Sequence, residues 1–110
     1  MYAINGNRIT LTKGDSFYAI VKMVNKETGE EYIPQGNDVV RFGIKKSVKE
    51  KRCILEKVIS NATLLLYLEP NDTENLATGS YVYDIELTYA NGDKDTFINK
   101  AQFILADEVI

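Results

Sequence analysis

The run Tyr81-Val82-Tyr83-Asp84-Ile85-Glu86-Leu87-Thr88 constrains this chain more than any other stretch. Tyr81, Tyr83, Ile85 and Leu87 fall on one side and Val82, Asp84, Glu86 and Thr88 on the other, the period of a half-buried strand. The same alternation recurs along the chain. Residues 8–12 alternate Ile9 and Leu11 with polar neighbours, and residues 16–24 set Phe17, Ala19, Val21 and Met23 on one face. Residues 39–45 do the same with Val40, Phe42 and Ile44. Residues 53–59, 64–68 and 96–105 supply three more strands, the last carrying Phe97, Phe103 and Leu105. No long segment carries a helical period.

Punctuation separates these runs. Gly14-Asp15 breaks the first from the second, and Lys26-Glu27-Thr28-Gly29 has the composition of a hairpin turn. Pro34-Gln35-Gly36-Asn37 reads as a loop, residues 46–52 as a charged connection, and Ser60-Asn61-Ala62 as a short joint. Residues 70–76 open on Pro70 and hold capping-type residues, which predicts one short helical turn. Asn91-Gly92 predicts a two-residue type I′ hairpin. The alternation of the last run slips near Ala101, where a bulge is expected. Seven strands with turns at short intervals predict a sandwich or a barrel.

The 110 residues suit one domain spanning 1–110, and 45% apolar residues are enough for one core. The longest apolar stretch, residues 64–68, is far short of the ~20 residues of a membrane-spanning helix, so no membrane is expected as a partner. The N-terminal residues lack a basic and then apolar leader, so synthesis in a cytoplasm without a signal peptide is expected. Cys53 is the lone cysteine, which leaves no intramolecular disulfide. Thirteen basic against 16 acidic residues give a net charge of −3, which argues against nucleic acid as a partner.

The sharpest local feature is Leu76-Ala77-Thr78-Gly79-Ser80-Tyr81-Val82-Tyr83. In immunoglobulin-type sandwiches a tyrosine near the start of the sixth strand bonds back to upstream backbone, two residues before a cysteine. Tyr81 has that placement, with Tyr83 where the cysteine would stand, so Tyr81 is the candidate structural corner. The expected fold is therefore all-β: an immunoglobulin-like β-sandwich of about seven antiparallel strands without a disulfide.

Five segments in order carry a more specific likeness: Gly14-Asp15-Ser16-Phe17, Glu27-Thr28-Gly29-Glu30, residues 40–45, residues 66–73 and residues 79–87. Their order and spacing resemble the N-terminal immunoglobulin-like domain of BppU-type upper baseplate proteins of bacteriophage tails, over nearly the whole chain. The resemblance implies a structural protein of a phage or prophage tail baseplate, located in the virion. Its partners would be other tail or baseplate proteins, or a second copy in a homo-oligomer. Members of that family usually continue into a longer stalk, whereas this sequence stops at Ile110.

The residues offer little for catalysis. Histidine is absent, which removes the commonest general base and nitrogen ligand. Cys53 has no imidazole to activate it. None of Ser16, Ser47, Ser60 and Ser80 sits in a nucleophile elbow. Asn91, Asp93 and Asp95 alternate, but a calcium loop starting there would need glycine at Thr96 and glutamate at Gln102. Asp84 and Glu86 share a strand face and read as surface partners of Arg41 and Lys45 on a neighbouring strand. No enzyme activity, cofactor or metal is expected.

Binding is better provided for. The residues 16–24 and 64–68 are expected to be neighbours, and their outward sets are Tyr18 and Ile20, and Leu65 and Tyr67. Four large apolar side chains in adjacent outward positions mark a candidate interface. A second candidate is the basic stretch 41–57, where seven cations stand against Glu50 and Glu56, a local excess of +5. It reads first as a solvated loop and secondarily as a dock for an acidic protein surface. The alternative function is a carbohydrate- or receptor-binding β-sandwich module using Tyr2, Tyr32 or Tyr89 as stacking platforms.

Overall fold

A computed structural model describes residues 2–25 and 27–107. The elements in chain order are β1 (Tyr2–Asn5), β2 (Arg8–Thr12), β3 (Phe17–Ile20), β4 (Met23–Val24), β5 (Glu31–Tyr32), β6 (Val39–Lys45), β7 (Leu55–Ile59), β8 (Leu65–Leu68), α1 (Pro70–Glu74), β9 (Gly79–Thr88) and β10 (Lys94–Ala106). The fold is mostly β. A curled six-stranded sheet runs β1-β2-β10-β9-β6-β7, accompanied by the two-stranded sheets β3-β8 and β4-β5.

Two features differ from the expected seven antiparallel strands. The large sheet is mixed, because β2 and β10 pair in parallel with Phe103 opposite Ile9 and Leu105 opposite Leu11. Strands joined by a tight turn must run antiparallel, but β2 and β10 lie at opposite ends of the chain and no hairpin dictates their direction. Their pairing is decided by burial: these four residues are 4% exposed or less.

The strand count also rises, to ten among the described residues. Residues 16–24 divide in two because the chain changes partner: the Val21 N–H makes a last bond to the Leu64 carbonyl at 2.8 Å, and Met23–Val24 then pairs with Glu31–Tyr32. Side-chain alternation survives the break, with Phe17, Val21 and Met23 all buried. The first strand, β1, folds back along β2 through Gly6, whose φ of 61° suits a residue without a Cβ.

The turns carry their own corrections. Asn25 caps the β4–β5 hairpin, its side-chain oxygen accepting from the N–H groups of Glu27 and Thr28, while Gly29 takes φ 74°. Lys26, at that turn, lies outside the described residues. The β9–β10 hairpin is not type I′. Gly92 N–H donates to the Tyr89 carbonyl and Tyr89 N–H to the Asp93 carbonyl, so three residues form the loop and only Gly92 (φ 95°) is left-handed. A glycine closing such a loop as a bulge is the next commonest hairpin geometry.

In β10 the register slips twice. Ile98 and Ala101 face Ile85 and Tyr83, three steps against two, and Lys100 has φ 54°. The Lys100 N–H freed by this bulge donates to an Asp84 carboxylate oxygen at 2.6 Å. The expected pairing of Asp84 and Glu86 with Arg41 and Lys45 is corrected accordingly. Arg41 does stand opposite Glu86 in the ladder, but Glu86 meets Lys94 at 3.8 Å and Asp84 serves the bulge.

The short helix α1 starts on Pro70, which needs no N–H partner there. Asp72 accepts from the Glu69 N–H at 2.7 Å and meets Lys57 at 2.9 Å. Thr73, fully buried, accepts from the Gly14 N–H at 3.2 Å.

The inward sets form one cluster. Phe42, Ile44, Leu87, Phe103 and Leu11 come from the large sheet, and Phe17, Leu66 and Leu68 from β3 and β8. All of these are 2% exposed or less. The described helix is too short and too polar to cross a membrane.

Candidate functional site

The sheet β3-β8 carries the candidate interface. Its register sets Tyr18 opposite Tyr67 and Ile20 opposite Leu65, so the four outward side chains form two directly facing pairs. Tyr18 is 49% exposed, Ile20 69% and Leu65 36%, with Tyr67 half-buried. The two tyrosine rings stack with centroids 4.6 Å apart and planes 21° from parallel. β1 does not cover them; it pairs with β2 on the edge of the large sheet, and the Tyr2 ring meets Phe17 edge-on at 4.8 Å.

The physical reason for this face is the period-two pattern itself. Phe17, Leu66 and Leu68 must point inward, which forces Tyr18, Ile20, Leu65 and Tyr67 out. Val58 on β7 is more exposed, at 71%, but stands opposite Arg41 rather than another apolar residue. Stacking makes the β3-β8 pair rigid as well as apolar, and rigid aromatic surface loses little entropy on contact.

The Tyr81 hydroxyl donates to the Ala77 carbonyl, four residues upstream. Tyr83 makes a longer-range tie, donating to the Asn7 carbonyl across the sheet. Removing the first of these with Tyr81→Phe will cost about 1 kcal/mol, or about 5 °C of Tm for a domain of this size. Thermal melts followed by far-ultraviolet dichroism check this, and an unchanged Tm would show the bond to be dispensable.

Burial pushes the Tyr83 phenol up to about 12, and the hydrogen bond to Asp95 does the same for Tyr89. A folded-state value raised above the ordinary 10 gives stability that is complete below pH 10 and lost as the pH climbs through about 12. Titration of tyrosinate absorbance in the native protein will therefore show Tyr83 and Tyr89 among the phenols that ionise late. Tyr83→Phe will remove one of them.

Asp38 is the polar centre that the sequence pattern does not reveal. It is 7% exposed, and its carboxylate accepts from the Tyr32 hydroxyl at 2.5 Å, the Gln35 N–H at 3.0 Å and the Ala90 N–H at 3.1 Å. The Asn61 amide donates to its carbonyl at 2.5 Å. Two near neighbours, Tyr32 and Gln35, and two residues distant in sequence, Asn61 and Ala90, thus converge on one residue. The Tyr32 hydrogen bond first, then those of Gln35 and Ala90, hold its carboxyl below the ordinary 3.8. Stability from this depressed value is present above pH 3.8 and disappears as the pH falls through the folded value. Urea midpoints measured from pH 5 downward will fall less steeply in Asp38→Asn than in the parent chain.

Around Asp38, Tyr32 and Tyr89 meet edge-to-face, centroids 5.5 Å apart and planes at 75°. Tyr89 donates to Asp95 at 2.7 Å. These two rings border a cleft of 510 Å³ with Phe97 and Val24.

A second cleft, of 260 Å³, opens on the outer face of the large sheet between Arg41, Lys45, Glu56, Asp84 and Lys100. Cys53 lies here, half-buried, its Sγ packed over Gly43, where a Cβ would come within 2.8 Å. Burial, the largest cause, pushes its thiol up, which makes a nucleophilic thiolate scarce. The alternating Asn91, Asp93 and Asp95 are taken up by loop bonds: Asn91 accepts from the Asp93 N–H at 2.9 Å and Asp95 from Tyr89. No group of His, Cys, Asp and Glu able to hold a metal occurs among the described residues. Comparison with protein-family models, curated proteins and solved structures found no match.

Proposed function

We propose that this chain is a structural assembly module that docks a neighbouring protein through the outer face of β3-β8. The observation that carries the reading is the pairing of Tyr18 with Tyr67 and Ile20 with Leu65 on an exposed, pre-stacked surface. Burying one such side chain in a partner's surface contributes roughly 1.5–3 kcal/mol, and aromatic anchors of this kind dominate protein interfaces.

The layering favours an immunoglobulin-like sandwich, with β3-β8 as the second layer over the large sheet. The Tyr81 corner, and Tyr83 in place of a disulfide cysteine, support that reading. The resemblance of residues 14–17, 27–30, 40–45, 66–73 and 79–87 to BppU-type upper baseplate proteins supplies the setting: a tail or baseplate component of a phage or prophage, assembled in the virion through protein–protein contacts.

The carbohydrate-binding alternative is less favoured. Tyr2 is engaged with Phe17, and Tyr32 and Tyr89 stand at 75° to each other rather than side by side as one flat stacking platform. The test is co-expression with the products of adjacent reading frames, followed by cross-linking and peptide mapping. Cross-links should cluster around Tyr18, Ile20, Leu65 and Tyr67; a partner mapping to the Arg41–Glu86 face of the large sheet instead would overturn the assignment.

A further inference from the structure

We infer that the cleft bordered by Tyr32, Tyr89 and Phe97 is a binding site for an organic cation, an alkylammonium or guanidinium group. The site is separate from the β3-β8 face and stands or falls independently of it. Three aromatic rings, all half-buried, border the space, and two of them are set at 75° to each other. The edge-to-face contact uses one face of the pair and leaves the other ring faces, with that of Phe97, beside the cleft, and an electron-rich ring face is what holds a cation.

The hydroxyls sharpen this selectivity. Tyr32 donates to Asp38 and Tyr89 to Asp95, so each ring is attached to a carboxylate through its oxygen. A phenol donating to an anion shifts electron density toward its ring and strengthens the negative face. It also leaves neither hydroxyl hydrogen free to donate to a neutral polar ligand. Asp95 and Glu27 border the cleft and are exposed, so negative charge stands at the mouth.

The surrounding charge has the same sign. Residues 25–38 and 89–95, the segments that build this end of the molecule, hold six carboxylates against two lysines, a local charge of −4. The cleft measures 510 Å³ and its walls include the apolar Val24, room for an alkylated ammonium or the end of a long cationic side chain. A free quaternary ammonium and a lysine or arginine side chain of another protein share this chemistry.

The test is a two-dimensional NMR titration of the full chain with choline chloride, with N-acetyl-lysine methylamide, and with 3,3-dimethylbutan-1-ol, the uncharged isostere of choline. Sodium chloride at matched ionic strength is the blank. Saturable shifts at Tyr32, Tyr89 and Phe97 are expected with a cation, and binding of the isostere should be weaker by about tenfold or more. Stronger binding of choline would identify a small quaternary ammonium as the source, and stronger binding of the lysine derivative a protein side chain.

Asp95→Asn keeps the ring packing and should weaken the cation by about threefold to tenfold, while Tyr89→Leu should abolish saturable binding. The rest of each spectrum reports whether the variant is folded. Equal affinity for the isostere, shifts confined to other regions, or no saturable shift with either cation would overturn the assignment.

Discussion

Phe42→Ala will destabilise the protein by about 3–5 kcal/mol, a large share of the roughly 5–15 kcal/mol that holds a domain together. Phe42 is 0% exposed at the middle of β6, between Ile85 on β9 and Lys57 on β7. Its ring lies 5.4 Å from that of Tyr83, so truncation removes both transfer energy and an aromatic contact, and leaves a cavity between packed layers. The expected readout is a urea midpoint moved sharply down at unchanged slope, with a Tm lower by roughly 20 °C. Phe42→Leu refills most of the space and should cost ~1.5 kcal/mol or less. Val58→Ala, on the opposite face of β7 and 71% exposed, should stay within ~0.5 kcal/mol. A loss below 1 kcal/mol for Phe42→Ala would mean that the β6 pattern has been assigned to the wrong face.

The double substitution Leu65→Glu with Tyr67→Lys is expected to leave a folded protein that no longer associates with its partner or itself. Both side chains point away from the core cluster, while their chain neighbours Leu66 and Leu68 hold β8 in place at 2% and 0% exposure. The stability cost is confined to the lost Tyr18–Tyr67 stacking, about 0.5–1.5 kcal/mol. At an interface the same changes remove two apolar anchors and force two charges into a desolvated surface. Affinity should fall by at least about 100-fold, with 1.4 kcal/mol corresponding to each factor of ten. Light scattering reports self-association, and calorimetry against the co-purified partner reports the heteromeric case. Unchanged mass together with intact partner binding would remove the β3-β8 face from consideration.

Much of this molecule is legible in the residues. Ile9, Leu11, Phe17, Val40, Phe42, Ile44, Tyr81, Tyr83, Ile85 and Leu87 alternate with polar neighbours, and every one of them is buried. Because side-chain direction in a strand has a period of two, knowing which residues are inside also tells which are outside. Tyr18, Ile20, Leu65 and Tyr67 follow as an outward set from that rule alone. The backward hydrogen bond of Tyr81 is legible too, because both of its ends lie within four residues of each other.

What escaped the pattern shares one property: it depends on residues brought together from distant places. The parallel pairing of β2 with β10 joins residues 9 and 103. Asp38 draws Asn61 and Ala90 from 23 and 52 residues away to join its near neighbours Tyr32 and Gln35, and a lone aspartate after a loop carries no local sign of four incoming donors. Asp84 looked like one half of an ion pair because its strand neighbours are cations, yet its partner is a backbone N–H exposed by a bulge in another strand.

Sequence alone therefore determined which stretches extend, which side chains turn inward and where the chain bends, since these depend on spacing within a few residues. Tertiary structure decided how the strands are ordered, which polar groups find each other and which aromatic rings share a cleft. Those outcomes are set by the requirement that every buried donor and acceptor be matched in three dimensions, and the partners that meet it lie tens of residues apart along the chain.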